Sequence, residues 1–525
     1  METEPPVNRR RFLTLTAVAA GGALVPSLAG CSVVTAGEPG LLLRSGRPLP
    51  RPYQVPLPIP ATLKPARTDA TTDYYEITQR AATAEILPGV HTPLWTYNGT
   101  FPGPTLASRS GRRVVVRHTN RLPQPVVVHL HGGHTPHDSD GYPGDLLLPV
   151  GTASGRTDQM PGMPGMAARP GVSRIGSQDY TYPLDQRAAT LWYHDHRMGF
   201  TGESVWRGLA GFHLVHDDEE EALPLPRGDR DIPLMIVDRS FDAAGAMPYP
   251  SIGPATPGVT KPYMNGVLGD VILVNGAPWP VAAVSRQHYR FRILNGSNAR
   301  RYRLELDPPP PGGRGLVQIG SDGGLLDRPR AFDAIELAGA ERFDVVVDFA
   351  RYRPGTRVRL RNTLGTGSTA DVLAFDVSAR TATPADDTRI PATLSSSPVL
   401  RAADAAATRT FLFQNHGDEG WTINGQAYDP ARPLATPRLG RTEIWRFVTD
   451  VHHPVHLHLE QFQVLGRNGE EPGPYDAGWK DTIDLRPAEA AEILVRFTDH
   501  PGRYVFHCHN LEHEDMAMMA DFVVS

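Results

Sequence analysis

The sequence has very little cysteine and very little lysine. Its two cysteines, Cys31 and Cys508, lie near opposite ends of the 525-residue chain, which excludes a framework of disulfide bonds. Lysine occurs only at Lys64, Lys261 and Lys480, the formal net charge is −5, and no long basic run is present. This charge pattern gives no reason to expect nucleic-acid binding.

The composition argues against a disordered chain and against a body of long helices. Hydrophobic residues make up 40% of the chain and charged residues 21%, which is enough apolar material for a globular core. Glycine and proline number 51 each, and their spacing between apolar runs is typical of short strands joined by turns. We therefore predict an all-β body, and the chain length indicates about three domains.

The amino terminus is typical of an export signal. The run RRRFL at residues 9–13 precedes an apolar stretch that ends near Leu28, too short for a comfortable membrane span. The run resembles a twin-arginine signal, which requires the twin-arginine export machinery as a partner; an ordinary Sec signal is the alternative. The pattern LAGC at residues 28–31 resembles a bacterial lipobox, with plain cleavage nearby as the alternative. We expect residues 1–31 to be a signal peptide, and a lipid on Cys31 to anchor the exported protein to the outer face of the bacterial cell membrane rather than leaving it freely secreted.

Changes in composition divide the rest of the chain. Residues 32–70 are rich in proline and predict a tether that wraps the first domain. An acidic run at 217–221 and a polar stretch near 381–408 mark boundaries between strand-rich regions. The predicted domains are residues 71–218, 228–380 and 395–525. Only the first and third contain histidine clusters, so we expect a site where these two domains meet.

Half of the 20 histidines lie in four short segments. These are HLH at 129–131, HDH at 194–196, HPVHLH at 453–458 and HCHNLEH at 507–513. Residues i and i+2 of a strand point to one face, so each HxH pair presents two imidazoles on the same side. Imidazole is the commonest protein metal ligand, and four such pairs in one chain predict a metal centre.

The segment around Cys508 is the most specific. Strand alternation directs Cys508 to one face and both neighbouring histidines to the other, so one strand contacts two metal sites. A thiolate, two imidazoles and a distant thioether form a blue-copper site, and His453, His513 and Met518 can complete that set. Met516 and Met519 are competing thioethers. A zinc site or a buried structural thiol would leave the other histidines unexplained.

The segments HLHG, WYHDH, HPVHLH and HCHNLEHEDMAMM resemble, in order and spacing, the four copper signatures of multicopper oxidases. IGSDGG at 319–324 and WKDT at 479–482 are most similar to the branch of bacterial spore-coat laccases, phenoxazinone synthases and bilirubin oxidases. The resemblance covers the chain from about residue 70 to its end and implies three cupredoxin-like (Greek-key β-barrel) domains with four copper ions. It implies as ligands His453, Cys508, His513 and Met518 for the type 1 copper, His129 and His456 for the type 2 copper, and His131, His194, His196, His458, His507 and His509 for the type 3 pair.

The resemblance also implies a function and a mechanism. A small reducing substrate, such as a phenol or an aromatic amine, loses electrons one at a time to the type 1 copper, and they pass through Cys508, His507 and His509 to the three-copper cluster. There four electrons reduce dioxygen to water. Glu514 and Asp140 are the carboxylates expected to deliver protons, with a surface or helix-capping role as the alternative for each.

Two other functions remain open at this point. Met160, Met163 and Met166 in MPGMPGM offer soft sulfur atoms that select Cu(I), which would suit a metallo-oxidase in copper tolerance. Three methionines are few, however, and a flexible Gly/Pro loop with incidental methionines is the favoured interpretation. A non-catalytic cupredoxin electron carrier or copper store would need only the type 1 ligands. The remaining histidines therefore favour an oxidase.

Overall fold

The computed structural model describes residues 39–153, 172–379, 386–417 and 420–525. The predicted signal peptide with Cys31, and the Met160, Met163 and Met166 segment, lie outside the described residues. Strands dominate the described chain and helices are few and short, so the all-β prediction is confirmed. Among the described residues no helix is long and apolar enough to span a membrane.

The first part of the chain forms a five-stranded and a four-stranded sheet. Their strand orders are β10-β6-β3-β2, with β4 added to β3, and β5-β12-β11-β7. The elements are β1 (Leu41–Leu42), β2 (Arg67–Thr68), β3 (Thr72–Glu85), β4 (His91–Tyr97), β5 (Gly103–Arg109), β6 (Arg113–Asn120), β7 (Val128–His131), β8 (Leu147–Leu148), β9 (Arg174–Ile175), β10 (Ser177–Tyr182), β11 (Ala189–Asp195), α1 (Thr201–Arg207), β12 (Ala210–His216) and α2 (Asp218–Ala222). An apolar cluster that includes Val116, Leu130 and Tyr193 lies between these sheets.

The middle part forms a seven-stranded and a five-stranded sheet. Their orders are β18-β17-β13-β20-β25-β22-β23 and β19-β27-β26-β21-β24. The strands are β13 (Asp231–Arg239), β14 (Ser251–Gly253), β15 (Thr256–Val259), β16 (Val267–Leu268), β17 (Val271–Val274), β18 (Ala277–Pro278), β19 (Val281–Val284), β20 (His288–Asn295), β21 (Tyr302–Asp307), β22 (Leu316–Ser321), β23 (Gly324–Phe332), β24 (Ala334–Leu337), β25 (Arg342–Asp348), β26 (Arg357–Asn362) and β27 (Asp371–Val377). None of the predicted copper ligands lies on these strands.

The last part again forms a five-stranded and a four-stranded sheet, ordered β29-β28-β30-β34-β32 and β33-β31-β35-β36. The elements are β28 (Ala405–Asn415), β29 (Trp421–Ile423), β30 (Thr442–Thr449), β31 (His453–Leu457), β32 (Phe462–Arg467), β33 (Thr482–Leu485), β34 (Ala490–Arg496), β35 (Gly502–Cys508), α3 (Leu511–Asp515) and β36 (Met519–Val524). The core between these sheets is strongly aromatic and includes Phe411, Trp445 and Phe506.

The described part of the predicted tether lies on the middle sheets, not around the first domain as we expected. Leu41 pairs in parallel with Val267, and the Leu57 amide donates to the Val281 carbonyl. Only its final residues join the first domain, where β2 pairs with β3. Proline content indicates an irregular segment, but it carries no information about which surface supplies the missing backbone partners.

Candidate metal centre

Two strand pairs carry the histidine segments. In the first part of the chain β7 pairs with β11, and His129 lies opposite His194. In the last part β31 pairs with β35, and His456 lies opposite His507. Alternation on each strand then gathers imidazoles on one face, as the sequence predicted.

The two strand pairs meet face to face and their imidazoles interleave. The ring of His129 stacks on that of His458 with 3.9 Å between centroids, and His131 stacks on His456 at 3.7 Å. All four side chains are buried. The first and last parts of the chain therefore build one histidine cluster together, which is the juxtaposition predicted from the sequence.

Within this cluster the ring nitrogens form compact groups. His131, His194 and His509 form one group, His196, His458 and His507 a second, and His129 and His456 converge with His131 in a third, with ligand atoms within 4.8 Å of one another in each. In the second group the Nε2 atoms are separated by 3.2 Å. Two imidazole nitrogens on one ion at about 2.0–2.1 Å would lie about 3.3–3.5 Å apart, taking zinc sites as the reference. The spacing therefore fits a first-row metal ion.

Unpaired nitrogen atoms also point to a metal. Nδ1 of His131 and Nε2 of both His194 and His509 are buried and have no hydrogen-bond partner among the described residues. Buried polar atoms are almost always paired. Three orphaned nitrogens from one group are therefore accounted for by a bound ion.

Burial keeps these imidazoles neutral. It holds the pKa values of His129, His194 and His456 well below the usual range and lowers the pKa of His509 to about 3. Neutral imidazole is the form that binds a metal ion. These four imidazoles are thus in their metal-binding form at neutral pH.

Cys508 lies in a further ligand group, separate from the histidine cluster. Its Sγ is 3.3 Å from Nδ1 of His453 and 3.6 Å from Nδ1 of His513, and these two nitrogens are 3.1 Å apart. The Asn510 amide also donates to the sulfur, at 3.4 Å. Two imidazoles and one thiol at this spacing are the principal ligands of a blue-copper site.

Met518 is the best placed of the three candidate thioethers. It is fully buried in the same core cluster as Cys508, and its carbonyl accepts a hydrogen bond from the Cys508 amide at 3.1 Å. Met519 belongs to a different cluster, with Val505 and Tyr428, and Met516 is only partly buried. The assignment of Met518 as the thioether ligand stays a prediction.

The two predicted carboxylates both contact imidazoles of the histidine cluster. Asp140 Oδ2 lies 2.8 Å from Nδ1 of His458. Glu514 reaches two imidazoles, with Oε1 3.1 Å from Nδ1 of His196 and Oε2 3.2 Å from Nδ1 of His507. Both carboxylates are buried, so neither is merely a surface group.

Their surroundings give these carboxylates opposite protonation. Burial raises the pKa of Asp140 to about 8. Burial also acts to raise the pKa of Glu514, but the adjacent His196 and His507 outweigh it and hold that pKa well below its usual range. The site thus contains one carboxyl group that carries a proton at neutral pH and one that stays ionised.

Sequence reasoning did not identify two side chains that touch the centre, Asp481 and Trp421, or Arg342, which holds Asp481. Asp481 accepts from Nε2 of His131 at 3.0 Å and is in turn held by Arg342. Trp421 stacks on His513 with 3.7 Å between ring centroids. Asp481 lies in the WKDT segment that carried the resemblance, which was the available signal; Arg342 and Trp421 lie in no segment that the sequence singled out.

Comparison with known proteins decides the family. Models of the multicopper oxidase family match residues 398–525 and residues 78–153 and 150–220. A laccase of Bacillus subtilis is 38% identical over 522 residues, covering 88% of this chain and 96% of the relative. The chain belongs to the multicopper oxidase family. It binds copper, and it is a laccase-like oxidoreductase that couples the oxidation of a reducing substrate to the reduction of dioxygen to water.

Two further relatives support the assignment of this multicopper oxidase to its branch. A bilirubin oxidase of Albifimbria verrucaria is 34% identical over 505 residues, covering 90% of this chain and 81% of the relative. The solved structure of a laccase from Pediococcus acidilactici has a TM-score of 0.78 and 32% identity, covering 92% of this chain and 96% of that one. The predicted cupredoxin fold is thereby confirmed.

Proposed function

We propose that this multicopper oxidase holds its copper as one type 1 ion and a trinuclear cluster of one type 2 and two type 3 ions. The observation that carries the proposal is the arrangement of three consecutive residues, His507, Cys508 and His509, at the end of β35. Cys508 lies in the group with His453 and His513, whereas His507 and His509 belong to the buried histidine groups. One segment of the chain thus connects the site that would receive electrons from the donor with the site that would reduce dioxygen.

The ligand groups divide naturally among these ions. His453, Cys508, His513 and Met518 would hold the type 1 copper. His129 and His456, whose Nε2 atoms are 3.4 Å apart, would hold the type 2 copper. The two histidine triads, His131, His194 and His509 and then His196, His458 and His507, would each hold one type 3 copper.

Bound copper supplies the one-electron chemistry by which donor electrons reach dioxygen. The chain itself fixes the spacing and the protonation of the ligands and the access to the copper ions. Outer partners orient the imidazoles: the Asp140 carbonyl accepts from Nδ1 of His129 at 2.5 Å, and the Asp195 carbonyl accepts from Nδ1 of His194 at 2.8 Å. Such partners fix the tautomer that leaves Nε2 free for a metal.

Protons for water formation would come through the buried carboxylates. Asp140 contacts the His458 imidazole and is a natural donor, since a carboxyl group beside the reacting site can transfer a proton directly or through one water. Glu514, whose carboxylate lies beside Nδ1 of His196 and Nδ1 of His507, would take part in the same proton transfer.

The donor is proposed to be a phenol, an aromatic amine or a similar small reductant. The indole of Trp421 covers His513, and Trp421 is only 2% exposed, so electrons would enter across an aromatic ring at the type 1 site. Oxidation of Cu(I) is the second candidate because of the Met160, Met163 and Met166 segment, which is outside the described residues.

Oxygen uptake by the copper-loaded protein tests this function. We expect uptake with a substituted phenol, and comparison with bilirubin and with Cu(I) ranks the donors. Loss of Cu(I) oxidation alone after deletion of residues 160–166 would identify a metallo-oxidase. A copper-loaded protein with a blue absorption band that consumes no oxygen with any donor would contradict the oxidase and favour an electron carrier or copper store.

We also propose that the protein is exported by the twin-arginine route and anchored by a lipid on Cys31. The RRRFL run at residues 9–13 and the LAGC pattern at 28–31 support this. Replacing Cys31 with alanine is expected to move the protein from the membrane fraction to the medium. An unchanged distribution would contradict the anchor, and export that survives replacement of residues 9–11 by lysine would contradict the route.

A further inference from the structure

Asp481 contacts two imidazoles of the proposed trinuclear site with two different atoms. Its side-chain Oδ1 lies 3.0 Å from Nε2 of His131, and its carbonyl oxygen accepts from Nδ1 of His456 at 2.8 Å. These two imidazoles stack on each other. A small displacement of Asp481 would therefore move a type 3 ligand and a type 2 ligand together.

His131 is oriented in the opposite sense to most of its neighbours. The imidazoles that turn Nδ1 outward to a carbonyl or carboxylate are His129, His194, His196, His456, His458 and His507. His131 instead turns Nε2 to Asp481 and leaves Nδ1 without a partner. The Asp481 carboxylate thus selects the tautomer of His131 in which Nδ1 keeps its lone pair.

The middle domain holds Asp481 in place through Arg342. The Arg342 guanidinium donates through Nη1 to Asp481 Oδ1 at 2.8 Å and through Nη2 to Oδ2. Arg342 also donates from Nε to the Thr190 carbonyl at 2.9 Å, which lies on β11 beside the HDH segment. Both charged side chains are buried. One arginine therefore joins all three parts of the chain at the edge of the histidine cluster.

Arg342 is itself held in place by Asp322, which belongs to a network of buried charges. Its backbone amide donates to Oδ1 of Asp322 at 2.7 Å. Oδ2 of Asp322 and Oε1 of Glu341 each lie 3.1 Å from Nζ of Lys480, the residue directly before Asp481. A buried charge is retained only when it is paired, and here every charge of the network has an opposite partner.

We propose that Arg342, from the domain without a copper ligand, is a positioning residue for the trinuclear site. It acts through Asp481, which orients His131 and His456. The inference rests on the proposed copper arrangement and adds to it a role for the middle domain. A guanidinium is required because its planar fork can satisfy both carboxylate oxygens at once, which a lysine ammonium cannot do.

The expected result of Arg342→Lys is weaker binding of copper at the trinuclear site alone. Loss of an outer-shell partner of a metal ligand costs about 10- to 100-fold in metal affinity. The ligands around Cys508 have no contact with Arg342, so the blue band should keep its position and intensity. The electron paramagnetic resonance signal of the type 2 copper should change or disappear.

The experiment compares copper-loaded wild type, Arg342→Lys, Asp481→Asn and the double variant. Each is challenged with a graded copper chelator, and copper per chain, the blue band and the type 2 resonance are measured. Arg239→Lys is the matched control, because Arg239 is another buried arginine of the middle domain that donates to the Trp206 and Val205 carbonyls of the first domain. It touches no predicted ligand.

Non-additivity separates positioning from a merely structural effect. If Arg342 acts through Asp481, Arg342→Lys should add nothing further once Asp481 is asparagine. The proposal is overturned if Arg342→Lys keeps the wild-type type 2 resonance and chelator resistance, if Arg239→Lys loses the same copper, or if the two substitutions add. Should Arg342→Lys fail to fold, Asp481→Asn with an unchanged type 2 resonance would overturn it alone. A wild type that never holds trinuclear copper would instead refute the proposed function.

Discussion

His507 and Cys508 are consecutive residues of β35, yet their side chains lie in different ligand groups. His507 Nε2 is 3.2 Å from Nε2 of His196, whereas Cys508 Sγ is 3.3 Å from Nδ1 of His453. The path between the two groups is therefore a single peptide unit. No rearrangement of the fold is needed for electrons to pass from one to the other.

Cys508→Ser tests this division directly. We expect the blue band to disappear and oxidation of external donors to fall to background, because a neutral hydroxyl replaces the thiolate. The ligands of the proposed trinuclear cluster are untouched, so copper content should fall only by the proposed type 1 ion. Copper analysis and resonance spectroscopy check this; simultaneous loss of the type 2 signal would mean that the sites are not separate.

Asp140→Asn tests proton delivery. We expect dioxygen reduction to fall by about 10²-fold, the lower end for loss of a general acid, with copper content unchanged. Since burial raises the pKa of Asp140 to about 8, wild-type activity should fall as pH rises through that value and the carboxyl loses its proton. The asparagine variant should lack this decline. Asp138→Asn, at an exposed position two residues away, is the control and should retain the wild-type pH profile.

Glu514→Gln is expected to act differently from Asp140→Asn. Glutamine can accept from only one of the two imidazoles that Glu514 contacts, and its amide would face the other with a second donor. Copper at the triad of His196, His458 and His507 should be held about 10- to 100-fold less tightly, and dioxygen reduction should fall. An oxygen-reduction rate that is unaffected across pH, with full copper content, would remove Glu514 from the mechanism.

His134 provides a pH-dependent contact between the first and last parts of the chain. Burial opposes its charge, but contacts with Glu460 and Asp499 outweigh that effect and raise its pKa to about 9. The contact therefore stabilises the fold fully below pH 6.5, the usual pKa of histidine, and its contribution is lost as pH rises through about 9.

His134→Gln should lower the free energy of unfolding by about 1 kcal/mol at pH 6, since Asp499 is half exposed. At pH 10 the variant and wild type should unfold alike. Denaturant unfolding monitored by fluorescence at both pH values measures this. An equal difference at the two pH values would show that the ion pair is not responsible.

The ligand geometry was predictable because it depends on local periodicity. Strand alternation separates Cys508 from its flanking histidines and Met518 from Met519, and each separation appears in the fold. The contact between Arg342 and Asp481 was not predictable in this way. It joins residues 139 positions apart, and it depends on how the middle sheet packs against the last one, which no short-range pattern encodes.

The position of the predicted tether, residues 32–70, could not be predicted from the sequence either. Its composition predicted an irregular segment, but the two-residue pairing of Leu41–Leu42 with Val267–Leu268 is too short to leave a pattern. The stacking of Trp421 on His513 likewise follows from the meeting of strand β29 with helix α3, which are distant in the sequence. Sequence patterns thus identified the candidate metal ligands, whereas the side chains that contact or cover them required the tertiary structure.

The buried thiol of Cys508 can report local unfolding of the last domain. It is fully buried, and Cys31 is the only other cysteine in the sequence. In a chain with Cys31 replaced, a thiol reagent could react only when β35 separates from its neighbours. The rate of alkylation would then report how often that local opening occurs. Comparing the rates with and without copper would measure how much the metal stabilises the last domain against opening.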